Sequence, residues 1–340
     1  MLPVGLTNKD TLCYLNASIQ CLAYTTPFVR GLNTVISTED VASKTDLELT
    51  LAVNTVCHQI ETSSTTSPVV LDAEPLCLTV STRFASRQQH DAAELLQYLF
   101  TSISEELKKN KMKDVIRDVF GFQLGSKLTC GECDRNTLKS EDQTILSIEA
   151  TPISDDDTSV DVQDSLSRFT RNELLDSNTV CTKCGKTGIT YKQIQIQSWS
   201  LVLVIHMKIF DNNRNKITTG VTFPLRLSNV LARYGPNNLD KDELYELYAI
   251  IHHTGAPGSS IDSGHYTATV CIKNVWYTLN DQIVTRTTYK EVEKIQPYML
   301  FYKRVVVLPT LGISNIRAKP KAMLMQDILV ATQFINFFLS

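Results

Sequence analysis

Two short cysteine pairs constrain this chain more than any other feature. Cys130 and Cys133 in LTCGECDRN and Cys181 and Cys184 in TVCTKCGKT are separated by 47 residues. Each Cys-x-x-Cys aims two thiolates at one point. Two such knuckles complete a tetrahedral four-sulfur shell, which suits zinc and leaves no open position for a substrate. A metal held this way is structural, a staple for a β-rich subdomain with little core of its own. The alternative is two unrelated thiol pairs or a redox disulfide. Nine cysteines make an odd total, and the N-terminus lacks a basic segment followed by an apolar run. Both observations disfavour a secreted disulfide framework. The expectation is a reduced, intracellular protein of the cytoplasm and/or nucleus.

The rest of the chain falls into three zones. At 340 residues, with 43% hydrophobic and 20% charged residues, it is long enough for one large domain or two ordinary ones. From Cys13 to about residue 110 the apolar residues recur at helical spacing. Leu49, Val53, Val56 and Ile60 form one such stripe, and Ala92, Leu95, Leu96, Leu99, Ile103 and Leu107 form the clearest. From about 115 to 197 the texture is short strands and loops, with both cysteine pairs and an acidic loop, TPISDDDTSVD. From Trp199 onward β-branched and aromatic runs separated by turn residues predict an antiparallel sheet. Helices, insert and sheet in that order give an α+β fold. A net charge of −3 offers no footprint for nucleic acid. The most membrane-like stretch is broken by Gln326, Asp327, Gln333 and Asn336, so no membrane span is expected.

Cys13 begins a predicted helix, where the macrodipole favours a thiolate. Taken alone, a cysteine there is more commonly a packing residue. Its significance comes from HHTGAPGSSIDSGHYTATVCIKNVWYTLND, more than 200 residues away. A Gly/Ser-rich loop leads into His265 at a strand start, and a turn at Lys273-Asn274 pairs that strand with the next. The hairpin brings Asn280 back toward His265. Cysteine, histidine and an orienting amide is the papain-type division of labour.

The stretches GLTNKDTLCYLNASIQ, QQHDAAELL, the paired Cys-x-x-Cys, HHTG…SGHYTA, WYTLND and YMLFYKR occur in that order. The ordered set resembles the catalytic domain of the ubiquitin-specific proteases over roughly residues 4–305. The resemblance implies a papain-like fold over residues 1–307. It has a helical thumb (about 4–114), zinc-bearing β fingers (about 115–198) and an antiparallel β palm (about 199–307). Residues 308–340 are left as a tail without an assigned role. It also implies a deubiquitinating thiol isopeptidase that cleaves after the C-terminal glycine of ubiquitin, with ubiquitin and ubiquitinated proteins as partners. Residue by residue, Cys13 matches the nucleophile, His265 the base, Asn280 the third triad member and Asp281 a supporting acid. Asn8 matches the oxyanion-hole amide. Asp91 and Glu94, three apart on the predicted helix, match carboxylates that pair with arginines of the substrate tail, and Tyr266 and His253 line the narrow cleft.

Two positions depart from the family pattern. Asp10 stands where the nucleophile loop usually carries glycine. It is placed to cap the helix by accepting from the Leu12 or Cys13 N–H, which sets its charge against thiolate and oxyanion. Ile209 stands where arginine is usual. Three other readings remain open at this stage: a ubiquitin-binding pseudo-enzyme, a protease for another ubiquitin-like modifier, and a zinc-ribbon nucleic-acid module. His58 and His206 are expected to pack or face solvent, His90 to lie on a helix surface, and His252 to point away from His253. Cys21, Cys57, Cys77 and Cys271 read as core thiols.

Overall fold

The computed structural model describes residues 2–9, 11–38, 46–63, 69–80, 84, 88–152, 154, 158–175, 180–228, 244–261 and 263–305. Asp10 and the tail lie outside the described residues. Residues Met1–Val306 form one compact unit, and Val307–Ser340 are assigned to a second.

The first helix, Cys13–Ala23, is buried along its whole length. It is a central rod, flanked by the helices Glu48–Thr62 and Ala92–Lys109 and laid against the strand His265–Ile272. That contact brings the two halves of the sequence pattern together. In the Ala92–Lys109 helix the stripe Leu95, Leu96, Leu99, Ile103 and Leu107 is buried as its spacing predicts. Asp91 caps the start, and Lys108 and Lys109 occupy the last turn, where cations complement the helix dipole. Phe28, Phe100 and Phe120 tie this helix to its neighbours through an aromatic cluster.

Among the described residues, the larger sheet has eight strands. Its order runs Ile283–Thr287, Val275–Asn280, His265–Ile272, Leu244–Thr254, Pro297–Val305, Val202–Lys208, Leu146–Glu149, with Arg226–Ser228 beside Leu244–Thr254. All pairings are antiparallel except that of Leu146–Glu149 with Val202–Lys208. The expected hairpin turn is present: Lys273 and Asn274 have φ of 48° and 62°. Two consecutive positive φ values mark a turn whose twist matches the flanking strands. A second, four-stranded antiparallel sheet runs Asn136–Gln143, Phe122–Cys130, Thr190–Ser198, Asn172–Leu175 and carries the cysteine pairs near one end.

The span expected for the fingers, about 115–198, opens with a helix, Val115–Phe120, packed with the other helices. Leu146–Glu149 joins the large sheet, and Ser159–Asp161 pairs with Gly220–Thr222. Burial accompanies the pairing: Leu146 and Ile148 are 1% and 0% exposed in the core at this sheet edge.

Candidate active site and cysteine cluster

Cys13 sits at the N-terminus of its helix, 3% exposed. The residue before it, Leu12, donates its N–H to Asn8 Oδ1 at 3.0 Å. The Asn8 side chain thus holds the loop here, while the cap expected from Asp10, on the Leu12 or Cys13 N–H, falls on a residue outside the described ones. Across from the helix, the Lys273-Asn274 hairpin sets Ala268 opposite Leu279, which returns Asn280 to His265. The His265 Nε2–H donates to Asn280 Oδ1 at 2.6 Å. An amide oxygen can only accept, so the contact fixes the neutral tautomer and leaves Nδ1 for the Cys13 thiol. The His265 imidazole is pushed up to about 9. Hydrogen bonding with Cys13 is the largest cause, burial opposes it, and Asn280 and the charges of Cys13 and Asp281 reinforce it.

Asp281 follows in a left-handed conformation, φ 50°, that turns its carboxylate back under the site. Its Oδ2 accepts from Asn8 Nδ2 at 2.9 Å and lies 3.6 Å from His265 Nε2. Its Oδ1 accepts from Asn16 Nδ2 at 2.8 Å, and its carbonyl accepts from the Leu6 N–H at 2.9 Å. Cys13, His265, Asn280, Asp281 and Asn8 therefore form one constellation. Asn16, which sequence reasoning missed, belongs to it. The available signal was an amide one turn beyond Cys13, in a helix whose other polar residues are Ser18 and Gln20.

Asp91 and Glu94 do not present a simple acidic face. Asp91 accepts from the Ala93 and Glu94 N–H groups at 2.6 and 3.1 Å, and the Tyr298 hydroxyl donates to both its oxygens at 2.7 and 2.6 Å. It is a cap and an anchor first. Asp91 and Glu94 line a cleft of about 480 Å³ together with His206, Lys208, Phe210, Asp211 and Tyr298. His206, expected to pack or face solvent, forms part of that lining. Burial pulls it down to about 4, so it is neutral, and its Nδ1 meets Ser147 Oγ at 3.1 Å.

His253 and Tyr266, expected to line the narrow cleft, pack against each other. They are 2% and 3% exposed, with ring centroids 4.8 Å apart, and Phe210 stands 5.2 Å from His253. Burial pulls His253 down to about 4. Gly264, just before His265, is pressed onto that ring: a Cβ there would meet His253 Cε1 and Nε2 at 2.4 Å. Only glycine permits the approach. The buried Lys216, also missed, donates to the His253 and Gly255 carbonyls at 2.6 and 3.3 Å, and so ties down the loop that leads to His265. His90 precedes its helix and packs edge-on against Tyr14 and Phe84, a correction to its expected helix-surface position. Ile209 is fully buried in the core.

The four cysteines converge. The sulfurs of Cys130, Cys133, Cys181 and Cys184 all lie within 4.8 Å of one another. Cys133 and Cys181 Sγ are 3.8 Å apart, far longer than a disulfide. A tetrahedron with Zn–S bonds near 2.3 Å has edges of about 3.8 Å. The two knuckles repeat one backbone pattern. Cys130 accepts from the Asp134 N–H and donates to Arg135 O, and Cys181 does the same with Gly185 and Lys186. Asp134 and Gly185 both take positive φ, 55° and 67°. This donor set can hold a metal ion and fits zinc.

A family model described as "Ubiquitin carboxyl-terminal hydrolase" matches residues 4–302. The chain belongs to that family. Among curated members of the family, it is 29% identical over 327 residues to ubiquitin carboxyl-terminal hydrolase 25 of Arabidopsis thaliana, covering 89% of this chain and 47% of the relative. It is 28% identical over 319 residues to ubiquitin carboxyl-terminal hydrolase 23 of the same plant, covering 88% and 35%. The chain thus spans less than half the length of either. In fold it is similar to the solved SAGA Ubp8/Sgf11/Sus1/Sgf73 DUB module bound to ubiquitin aldehyde, with a TM-score of 0.73 and 24% identity over 90% of this chain and 70% of that one. The α+β papain-like architecture, with helical thumb, β palm and cysteine-bearing fingers, is the fold of this family member.

Proposed function

We propose that this chain is a cysteine isopeptidase that hydrolyses the bond after the C-terminal glycine of ubiquitin in conjugates. The observation that carries the reading is the 2.6 Å His265–Asn280 hydrogen bond beside a cysteine at a helix N-terminus, in a member of this family. His265 takes the Cys13 proton at Nδ1, and the helix dipole stabilises the thiolate. The thiolate attacks the glycine carbonyl. Developing negative charge on the oxygen is met by the Cys13 backbone N–H and the Asn8 side-chain amide, a type of contact worth about 2.7–4 kcal/mol of barrier. The imidazolium then protonates the leaving amine, and a water activated by His265 releases the acyl group. Asn280 keeps the ring oriented throughout, and Asp281 supports Asn8 and the imidazolium.

Asp91 and Glu94 supply the negative wall of the cleft for the arginine-bearing ubiquitin tail. His253 and Tyr266 close the cleft where the diglycine would pass. Cys130, Cys133, Cys181 and Cys184 hold a structural zinc, which when bound fixes the tip of the fingers and takes no part in the chemistry. None of the nine cysteines is in a disulfide, which fits a reducing compartment inside the cell.

The test is hydrolysis of a fluorophore amide at the C-terminus of ubiquitin, beside the same amide on other ubiquitin-like modifiers. Turnover of the ubiquitin substrate, lost in Cys13→Ala, supports the reading. Turnover of only another modifier, or of none, overturns it.

A further inference from the structure

Asn16 is 2% exposed inside a helix where every other residue is also buried, so an apolar side chain would cost less to place there. What it does instead is specific. Its Nδ2 donates to Thr7 O at 3.1 Å and to Asp281 Oδ1 at 2.8 Å. Facing a carbonyl and a carboxylate, the amide can only present its NH₂. One side chain thus joins the nucleophile's helix, the loop carrying Asn8 and the turn after Asn280. Asp281 is the hub, because its other oxygen holds Asn8 Nδ2 at 2.9 Å and faces His265 Nε2 at 3.6 Å.

We propose that Asn16 is a positioning residue for the reaction: through Asp281 it holds the Asn8 amide and the His265 ring in register with the Cys13 thiol. The inference rests on the isopeptidase reading above, but it concerns how the machinery is held, whatever the modifier.

The geometry also specifies a repair. In Asn16→Asp the donor is lost and two carboxylates face each other. Adding Asp281→Asn reverses the pair: the new amide accepts from Asn8 through its oxygen and donates to position 16 through its nitrogen. The experiment measures kcat and KM on a ubiquitin amide, and separately the rate of Cys13 alkylation by iodoacetamide, read on the Cys13 peptide by mass spectrometry. Both are taken for wild type, Asn16→Ala, Asn16→Asp, Asp281→Ala, Asn16→Ala with Asp281→Ala, and Asn16→Asp with Asp281→Asn. A circular-dichroism melt checks that each variant folds. Asn16→Ala should lower kcat by about 10–100-fold with little change in KM, the scale of loss expected when catalytic groups are misplaced by about 1 Å. The alanine double variant should be no slower than Asp281→Ala alone, since both act through one contact. The reversed pair should recover at least part of what Asn16→Asp loses.

Independent, multiplicative losses in the alanine cycle, or a reversed pair no faster than Asn16→Asp alone, overturn the proposal. If wild type does not cleave ubiquitin yet the alkylation rates show the same non-additive cycle and rescue, the positioning role stands and the ubiquitin reading falls. Should the alanine variants fail to fold, the near-isosteric Asn16→Asp and its reversal decide the matter.

Discussion

Removing the Asp91 side chain separates two roles that the sequence merges. In the structure this carboxylate caps the Ala92–Lys109 helix through two backbone N–H groups and accepts from the Tyr298 hydroxyl. Loss of an N-cap costs about 1 kcal/mol, and leaving the buried Tyr298 hydroxyl without an acceptor costs about 1–3 more. Asp91→Ala is therefore expected to destabilise the protein by about 2–4 kcal/mol. Asn caps as well as Asp and can accept from Tyr298, so Asp91→Asn loses only the charge at the helix start, about 0.3–1 kcal/mol. Urea unfolding followed by far-ultraviolet circular dichroism at pH 7 gives the midpoints. Kinetics on a ubiquitin amide then isolate the charge, because Asp91→Asn should raise KM while keeping the fold if the carboxylate meets the substrate's arginines. If Asp91→Asn is as unstable as Asp91→Ala, or Asp91→Ala costs less than about 1 kcal/mol, the cap-and-anchor account is wrong.

Three further outcomes are expected. Asn8→Ala should lower kcat by about 10²–10³-fold with KM nearly unchanged, as for loss of one oxyanion donor; steady-state kinetics on the ubiquitin amide check this, and a change confined to KM contradicts it. Chelation, or Cys133→Ser, should release one zinc per chain by atomic absorption and lower the melting temperature, while isolated Cys13 reactivity persists. The raised His265 group, about 9 against an ordinary 6.5, contributes stability that is fully present below pH 6.5 and is lost as pH rises through about 9. The basic limb of kcat/KM should fall in the same window. It should move to lower pH in Asn280→Ala, which removes one of the interactions that raise the group; an unmoved limb counts against the assignment.

Much of this site is legible in the sequence because its parts are locally encoded. The Cys-x-x-Cys spacing fixes each knuckle, and the Lys273-Asn274 turn fixes a register that returns Asn280 to His265 without any long-range information. The apolar stripe from Ala92 to Leu107 is likewise a property of one helix. What escaped depends on what lies across the fold. Asp91-x-x-Glu94 carries the pattern of a helix start, but only the structure brings Tyr298, 207 residues on, to its carboxylate. Leu146–Glu149 is too short to declare its sheet, and its place follows from the open edge of Val202–Lys208. Asn16 and Lys216 look like ordinary polar residues until their partners arrive from distant segments. The burial of His253 and Tyr266 likewise needs a distant partner, since Gly264 lets the chain close onto the imidazole.

The most direct test of the account is covalent capture of Cys13. Incubation with ubiquitin bearing a C-terminal thiol-reactive electrophile, under reducing and zinc-replete conditions, should add the mass of one ubiquitin to the chain. Peptide mapping should place it on Cys13, and Cys13→Ala should show none. A folded, zinc-loaded protein that forms no adduct, or that forms it equally well after Cys13→Ala, would contradict the assignment of Cys13 as the nucleophile.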